Sequence, residues 1–443
     1  MNSSFYNGIS GIKTHQFGLD VWADNIANTN KVGFKSSIPE FSTVFSTTLT
    51  NYLSTPTSND TGLGSRAYAT HLQFSQGSVS KTENPFDLAI NGDGWFGVVN
   101  QENEILFTRA GLFNKDSDGF LTDPSGNYLL GTLSGNIQNG AVIDNPVKDI
   151  DLSATDNQSK IDLSDNIVMP AKPTTQINFK ATLDSKPIIE KTPDGNEIEI
   201  PNKESFTTSL INADGSESFL DIDFIKAVPQ LPDKTVWSAK ATLKDKDQNI
   251  IFESEGELNF NARGALVSNT LSSINNNGSQ VSLNFGSLYD PTIANSGFDG
   301  LISYHGDSAG SFRQITNDGK KSGELLDYSI DQDGTIVAAF SNGESIPVAK
   351  IALFHFQNNA GLEQASPVYF KQTANSGTPQ FFKDKDGKTI DTATISSHSL
   401  EMANLSMGTA LTELIIMQKA FDASAKSITT SDQMIQNAIN MKK

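Results

Sequence analysis

Apolar positions repeat with a helical period only at the two ends of the chain. Towards the C-terminus Met407, Leu414, Phe421, Ile428 and Ile435 recur every seven residues, and Leu411, Gln418, Ala425, Asp432 and Ile439 each follow by four. A sustained seven-residue repeat with mostly apolar a and d positions is a heptad seam. A helix from Asn404 to Asn440 would be about 55 Å long at 1.5 Å per residue. Gln418 and Asp432 place polar groups in the seam, where they cost stability but set register or partner choice. At the other end Phe5, Ile12, Leu19 and Ile26 also recur every seven residues, with Ile9, Gln16 and Ala23 four after the first three. That helix should stop near Asn28-Thr29-Asn30, because Asn and Thr favour caps over helix interiors. Periodicity alone leaves two arrangements open: terminal helices packed on one globular core, or seams buried against neighbouring copies.

The middle of the chain alternates with the two-residue period of strands. Asp87–Ile90 and Trp95–Val99 flank the turn Asn91-Gly92-Asp93-Gly94 and suggest a hairpin. Ile105–Arg109, Gly119–Thr122 and Tyr128–Leu130 extend the sheet, and residues 132–170 are polar enough to suggest a boundary. Alternation resumes at Ile177–Leu183 and recurs at Phe219–Phe224, Thr235–Ala239, Ile250–Phe252 and Glu257–Phe260, the spacing of a sandwich or barrel. Asp333-Gly334 and Asn342-Gly343 mark later turns. The expected fold is mixed and mainly β: nested β-sheet domains, sandwich- or barrel-like, with N- and C-terminal α-helices pairing as a coiled-coil-like inner domain. The expected division is 1–31 with 400–443 as the terminal helical domain, 32–75 as an extended connector, 76–145 with 286–399 as the inner β domain, and 146–285 as an inserted outer β domain.

Composition narrows the function. Fifty-one acidic against 32 basic residues give a formal charge of −19, which repels phosphate backbones and anionic lipid, so neither nucleic acid nor membrane is an expected partner. Cysteine is absent, which removes disulfides, thiolate metal sites and cysteine nucleophiles. The opening Met1–Tyr6 has no basic or apolar region of a secretory signal, so passage out of the cell would need another export machine.

Candidate chemistry is sparse. Gly306-Asp307-Ser308-Ala309-Gly310 matches a nucleophile elbow, but no βαβ alternation surrounds it. Asn114-x-Asp116-x-Asp118-Gly119 imitates a calcium loop, yet Ser125 stands where a bidentate Glu is required, which favours a turn. The five histidines show no metal-ligand spacing. No catalytic, cofactor or metal residues are assigned.

Several spaced motifs resemble those of bacterial flagellar hook proteins, within the axial family that includes the rod proteins. Ala27–Lys35, carrying Asn28, Gly33 and Phe34, is similar to the family's segment after its first helix. Ile90–Phe96, with Gly92, Gly94 and Phe96, resembles its glycine hairpin, with Trp95 where Phe is usual. Phe107–Phe113, with Arg109, Ala110 and Gly111, follows the family's most recognisable run. Leu400–Leu405 and Met417–Phe421 resemble its C-terminal helix, although His398 stands where Gly is frequent. Trp237 and Gly256–Asn261 resemble the outer domain that distinguishes hook from the shorter rod proteins. The resemblance implies a structural subunit, exported without a cleaved signal and extracellular on the bacterial flagellum. It implies self-assembly into a curved tubular polymer, a universal joint between rod and filament. Its partners would be copies of itself and the rod, hook-cap and hook–filament junction proteins. The self-assembly seam would comprise Ile12, Leu19, Ile26, Met407, Leu411, Leu414, Gln418, Phe421, Ala425, Ile428, Ile435 and Ile439. A distal-rod or other axial protein is the nearest competing expectation. An extracellular β-rich adhesin or a hydrolase using Ser308 is the expectation from a different class.

Overall fold

Helical structure occupies the two ends of the computed structural model, which describes residues 3–44, 47–48, 60–229, 233–306, 312–390 and 392–441. Helix α1 (Ser3–Ala27) and helix α2 (Met407–Met441) run antiparallel: Gly8 meets Ser424 and Ile428, and Gly18 meets Met417. Glycine sets the closeness of this pair. A Cβ on Gly11 would lie 2.6 Å from Ser424 Oγ, and one on Gly8 would lie 2.7 Å from Ile428 Cγ1, distances no real side chain tolerates without displacing its neighbour. Among the described residues no helix is long and apolar enough to cross a membrane.

The described parts of the expected connector 32–75 depart from an extended chain. Ser37–Thr43 pairs antiparallel with Ser65–Leu72, from Ser37 opposite Leu72 to Thr43 opposite Ser65. The hairpin lies on α1, where Asn25 brackets Ser37 with bonds of 2.6 and 2.9 Å and Thr14 Oγ1 donates to Ser65 O at 3.0 Å. Phe41 packs edge-on against His15, with ring centroids 6.4 Å apart. Serine and threonine hide such strands in a sequence, because the surface that orders them belongs to a distant helix.

Two β bodies follow. In the first, strands from Tyr128–Leu133, Trp95–Val99, Ile105–Thr108, Gly323–Ile330, Thr335–Phe340 and Ser345–Ile351 join in one large sheet. It closes over buried Phe96, Val98, Phe113, Leu121, Ile336 and Phe340. Asp87–Ile90 and Trp95–Val99 do not form the expected hairpin. Leu88–Asn91 pairs with Thr394–Ser397, whereas Trp95–Val99 pairs with Ile105–Thr108, Leu353–Phe354 and Tyr128–Leu129. Gly92 and Gly94 adopt φ of +114° and +144°, which bends the link so that its strands enter different sheets. Leu400 and Glu401, expected in the terminal helical domain, are strand: Ser399–Glu401 pairs with Val79–Lys81, and α2 starts only at Met407.

The second body is a sandwich. Lys203–Ile211, Glu217–Lys226, Lys234–Lys244, Ile250–Asn261 and Leu266–Asn269 form one antiparallel sheet, and Gln176–Asp184 lies central in the other. Trp237 is fully buried between them and donates Nε1 to Ser303 Oγ at 3.0 Å. Among the described residues, the entering and leaving chains are joined by one bridge, Lys172 to Lys320, with reciprocal backbone bonds of 2.8 and 2.9 Å. The outer body therefore spans about residues 173–319, not 146–285. Residues 146–169 belong to the inner body through scattered apolar anchors, Ile161, Leu163 and Ile167, all buried in its core. Leu301–Tyr304 and Arg313–Asn317 belong to the outer one, because both pair with Gln176–Asp184.

Gly11→Leu is expected to force α1 and α2 apart at a cost of about 1–3 kcal/mol. Limited proteolysis should then release both terminal helices while the β bodies unfold at their original temperature. Gly62→Leu, at a position with nothing within 4 Å, should have no such effect, and equal protection in the two variants would refute the close-packing account.

Candidate functional site

The residues that follow α1 lead directly into the most constrained place in the molecule. Asn28 ends the helix, its Nδ2 donating to Asp24 O at 2.9 Å, and Thr29 Oγ1 donates to Asn25 O at 3.1 Å. Gly33 then takes φ +69° and donates its N–H to Glu401 O at 2.7 Å. A Cβ there would lie 2.3 Å from the Ala110 nitrogen, so both conformation and space demand glycine. Phe34 and Lys35 turn inward and are fully buried.

Glu401 is the centre of this junction. It is fully buried, with Lys35 Nζ 2.7 Å from Oε1 and Arg109 Nη1 3.4 Å from Oε2. Gly77 N donates to Oε1 at 2.9 Å. Lys35 Nζ donates also to Ser75 O at 2.9 Å, and Arg109 Nη2 to Gly92 O at 2.9 Å. The Arg109 guanidinium lies 5.5 Å from the Trp95 ring centroid, an added cation–π attraction. Burial pushes Lys35 and Arg109 below their ordinary pKa ranges, opposed in both by the Glu401 charge. Asn404 completes the clasp by accepting Ser36 N at 2.9 Å and donating to Gln73 O at 2.6 Å.

Three segments far apart in sequence thus meet on one carboxylate: the chain after α1, the strand end at Arg109 and the strand before α2. The half-exposed Asp93 flanks them, its Oδ1 3.7 Å from Arg109 Nη2. What this arrangement does is mechanical, holding both helix roots rigidly on the inner sheet.

The remaining motif residues support that corner. Gly111 lies so close to Leu88 that a Cβ would clash with its carbonyl, and its oxygen accepts Leu88 N at 2.8 Å. Ala110 N donates to Thr108 Oγ1 at 3.0 Å. Gly94 faces the His355 ring, and Phe96 is fully buried in the inner core. The calcium-like loop is a turn in which Asp116 Oδ1 accepts Asp118 N at 3.0 Å and Phe120 N at 2.8 Å. Ser308 lies outside the described residues.

The seam residues divide into two sets. Leu414, Phe421 and Ile428 are half-buried towards α1, in line with Ala410, Met417, Ser424 and Ser431. This inner column falls three residues after each a position, whereas the expected column falls four after. Of the latter, Ala425 is half-buried, whereas Leu411, Gln418 and Ile439 are exposed, as are Met407 and Ile435. On α1, Ile12, Leu19 and Ile26 are half-buried beside the glycine stripe that makes the contact. The periodicity of Gly8, Gly11 and Gly18 was readable in the sequence. The joint role of Lys35, Arg109 and Glu401 was not, since nothing local links positions 35 and 401.

Residues 89–216 match the family described as "Flagellar hook protein FlgE/F/G D1 domain", and residues 396–441 match "Flagellar basal body rod FlgEFG protein C-terminal". The chain is 29% identical to the flagellar hook protein FlgE of Borreliella burgdorferi over the full length of both chains. It is 26% identical to that of Escherichia coli, covering 99% of this chain and 100% of the other. Among solved structures, Helicobacter pylori flagellar hook protein FlgE2 superposes with a TM-score of 0.54 at 15% identity, covering 73% of this chain and 100% of that one, a likeness of fold.

Glu401→Ala would leave Lys35 and Arg109 buried without their anion, a change that typically costs about 3–5 kcal/mol. Thermal unfolding should fall accordingly, and the terminal helices should become protease-sensitive together. Glu401→Ala with no loss of stability would show that the clasp is not what holds the helix roots.

Proposed function

The chain belongs to the flagellar hook protein family, and from that premise we propose that its copies self-assemble through the terminal helices into a curved extracellular tube joining rod to filament. As a hook structural subunit it is not an enzyme. The full-length correspondence with hook relatives, outer body included, separates it from a distal-rod protein. On this reading the protein is exported through the flagellar channel and meets rod, hook-cap and hook–filament junction proteins at the ends of the tube.

One observation carries the proposal. Helix roots are locked to the inner body by a buried ion cluster, whereas the outer body hangs on the single Lys172–Lys320 bridge. A cavity of about 590 Å³, lined by Asp144, Pro146, Lys172, Lys320 and Glu344 among others, opens beside that bridge. The ion pairs spanning it, Lys320–Glu344 at 2.8 Å and Lys321–Glu217 at 3.0 Å, are half-exposed and therefore weak, about 0–1 kcal/mol each. A stiff inner part with a loosely tethered outer part suits a tube that must bend while transmitting torque: the inner contacts stay packed and the outer bodies tilt.

Residues paired across an antiparallel bridge lie only about 5 Å apart, so a two-residue Asn-Gly turn can replace residues 173–319. The shortened chain is expected to fold and to form tubes of altered curvature, visible by electron microscopy. A shortened monomer that folds yet never assembles would overturn this division of labour.

A further inference from the structure

Residues opposite one another in an antiparallel sheet point their side chains to the same face. At one mouth of the outer sandwich this brings an amine, an amide and a carboxylate together. Along Glu217–Lys226 the buried side chains alternate, through Leu220, Ile222 and Phe224 to Lys226. Lys203 lies opposite Ile225, and Lys226 N donates to Asn202 O at 2.9 Å, so Asn202 is the neighbour of Lys226 across the sheet. Trp237 is its neighbour on the other side. Lys226 and Asn202 are both more than nine-tenths buried, and both reach the end of Gln176–Asp184 in the facing sheet. Lys226 Nζ donates to Ser185 O at 3.0 Å, and Asn202 Nδ2 donates to Asp184 O at 2.9 Å and Lys186 O at 2.8 Å. Asn202 Oδ1 is buried and accepts no hydrogen bond among the described residues. Glu199, three residues before Asn202, places Oε1 2.8 Å from Lys226 Nζ.

We propose that this triad is a modification site: Lys226 and Asn202 join in an intramolecular isopeptide bond, with Glu199 as the catalytic acid–base. An ion pair with Glu199 accounts for a buried lysine, but not for the buried amide beside it whose oxygen is idle. A lysine nucleophile needs a neutral amine, and the Glu199 carboxylate is placed to take a proton from Nζ. The amine attacks Asn202 Cγ, forming the Nζ–Cγ bond. Glu199 then takes a second proton from Nζ, having passed the first to Nδ2 and passing this one there too. The Cγ–Nδ2 bond breaks, ammonium leaves and an amide remains, so the step consumes no oxidant, metal or cofactor. Burial keeps competing water from Cγ. The product suits its place. Lys203–Ile211 is an edge strand of its sheet, and the bond closes a ring around it and Glu217–Lys226. A chain without cysteine thereby gains a covalent staple that stops the edge strand from peeling away when the outer body is pulled.

Mass spectrometry of the full chain, taken under denaturing conditions, tests this without any substitution. The chain is expected to be lighter than its sequence by one ammonia. Trypsin does not cut after an acylated lysine, so residues 192–203 should appear joined to residues 204–234 as one branched peptide, uncut at Lys226. Glu199→Gln keeps the size of the side chain and should give an unchanged circular-dichroism spectrum. It should nevertheless retain its full sequence mass and release residues 192–203 and 204–226 as separate peptides. An unsubstituted chain of full sequence mass overturns the proposal. So does a missing ammonia that the peptides trace to a cyclised Asn-Gly pair instead of Asn202. A Glu199→Gln chain that forms the bond as completely as its parent overturns the role given to Glu199. The bond is read on the monomer, so none of these results depends on assembly.

Discussion

A carboxylate buried between two cations governs this molecule. Isolated charges cannot be taken out of water without partners, so Glu401, Lys35 and Arg109 must arrive at one point together. Lys35 brings the chain that follows α1, Glu401 the chain that precedes α2, and Arg109 the inner sheet. Once they have met, the helices start from fixed positions, and Gly33 and Gly77 can approach closely enough to donate their N–H groups to Glu401. The cluster specifies geometry more than it adds stability, because desolvation consumes much of the Coulombic gain.

Stiffness declines with distance from that point. The helix pair is close-packed because Gly8, Gly11 and Gly18 bring no Cβ to the contact, and the inner body has a continuous apolar core of its own. The outer body has its own core around Trp237, yet it is tied to the rest by one two-residue bridge and solvent-screened ion pairs. A subunit so graded can keep its inner contacts while its outer mass shifts, which fits the proposed bending tube. The free surface of α2 is the complement of this arrangement. Its middle packs against α1, whereas Met407 and Leu411 at its head and Ile435 and Ile439 at its tail are exposed.

Pattern alone determined a good deal here. The helices at the two ends and the β character between them were legible, because periodicity and turn chemistry are local properties, and the structural role came with the resemblance. The spaced motifs carried the family, since glycines such as Gly33 and Gly111 are set by close approaches that tolerate no side chain. The tertiary structure decided which elements meet. Leu88–Asn91 and Trp95–Val99 look like a hairpin, but positive φ at Gly92 and Gly94 sends them to different partners. Residues 146–169 look like linker, but single apolar anchors tie them into the inner core. On α2, Leu414, Phe421 and Ile428 are half-buried while Met407 and Ile435 are exposed, and glycine on α1 brings Met417, Ser424 and Ile428 into the contact. Least visible of all was the pairing of Lys35 with Glu401, 366 residues away. A charge reads as solvent-exposed in any sequence, and only the folded chain can bury it beside its partner.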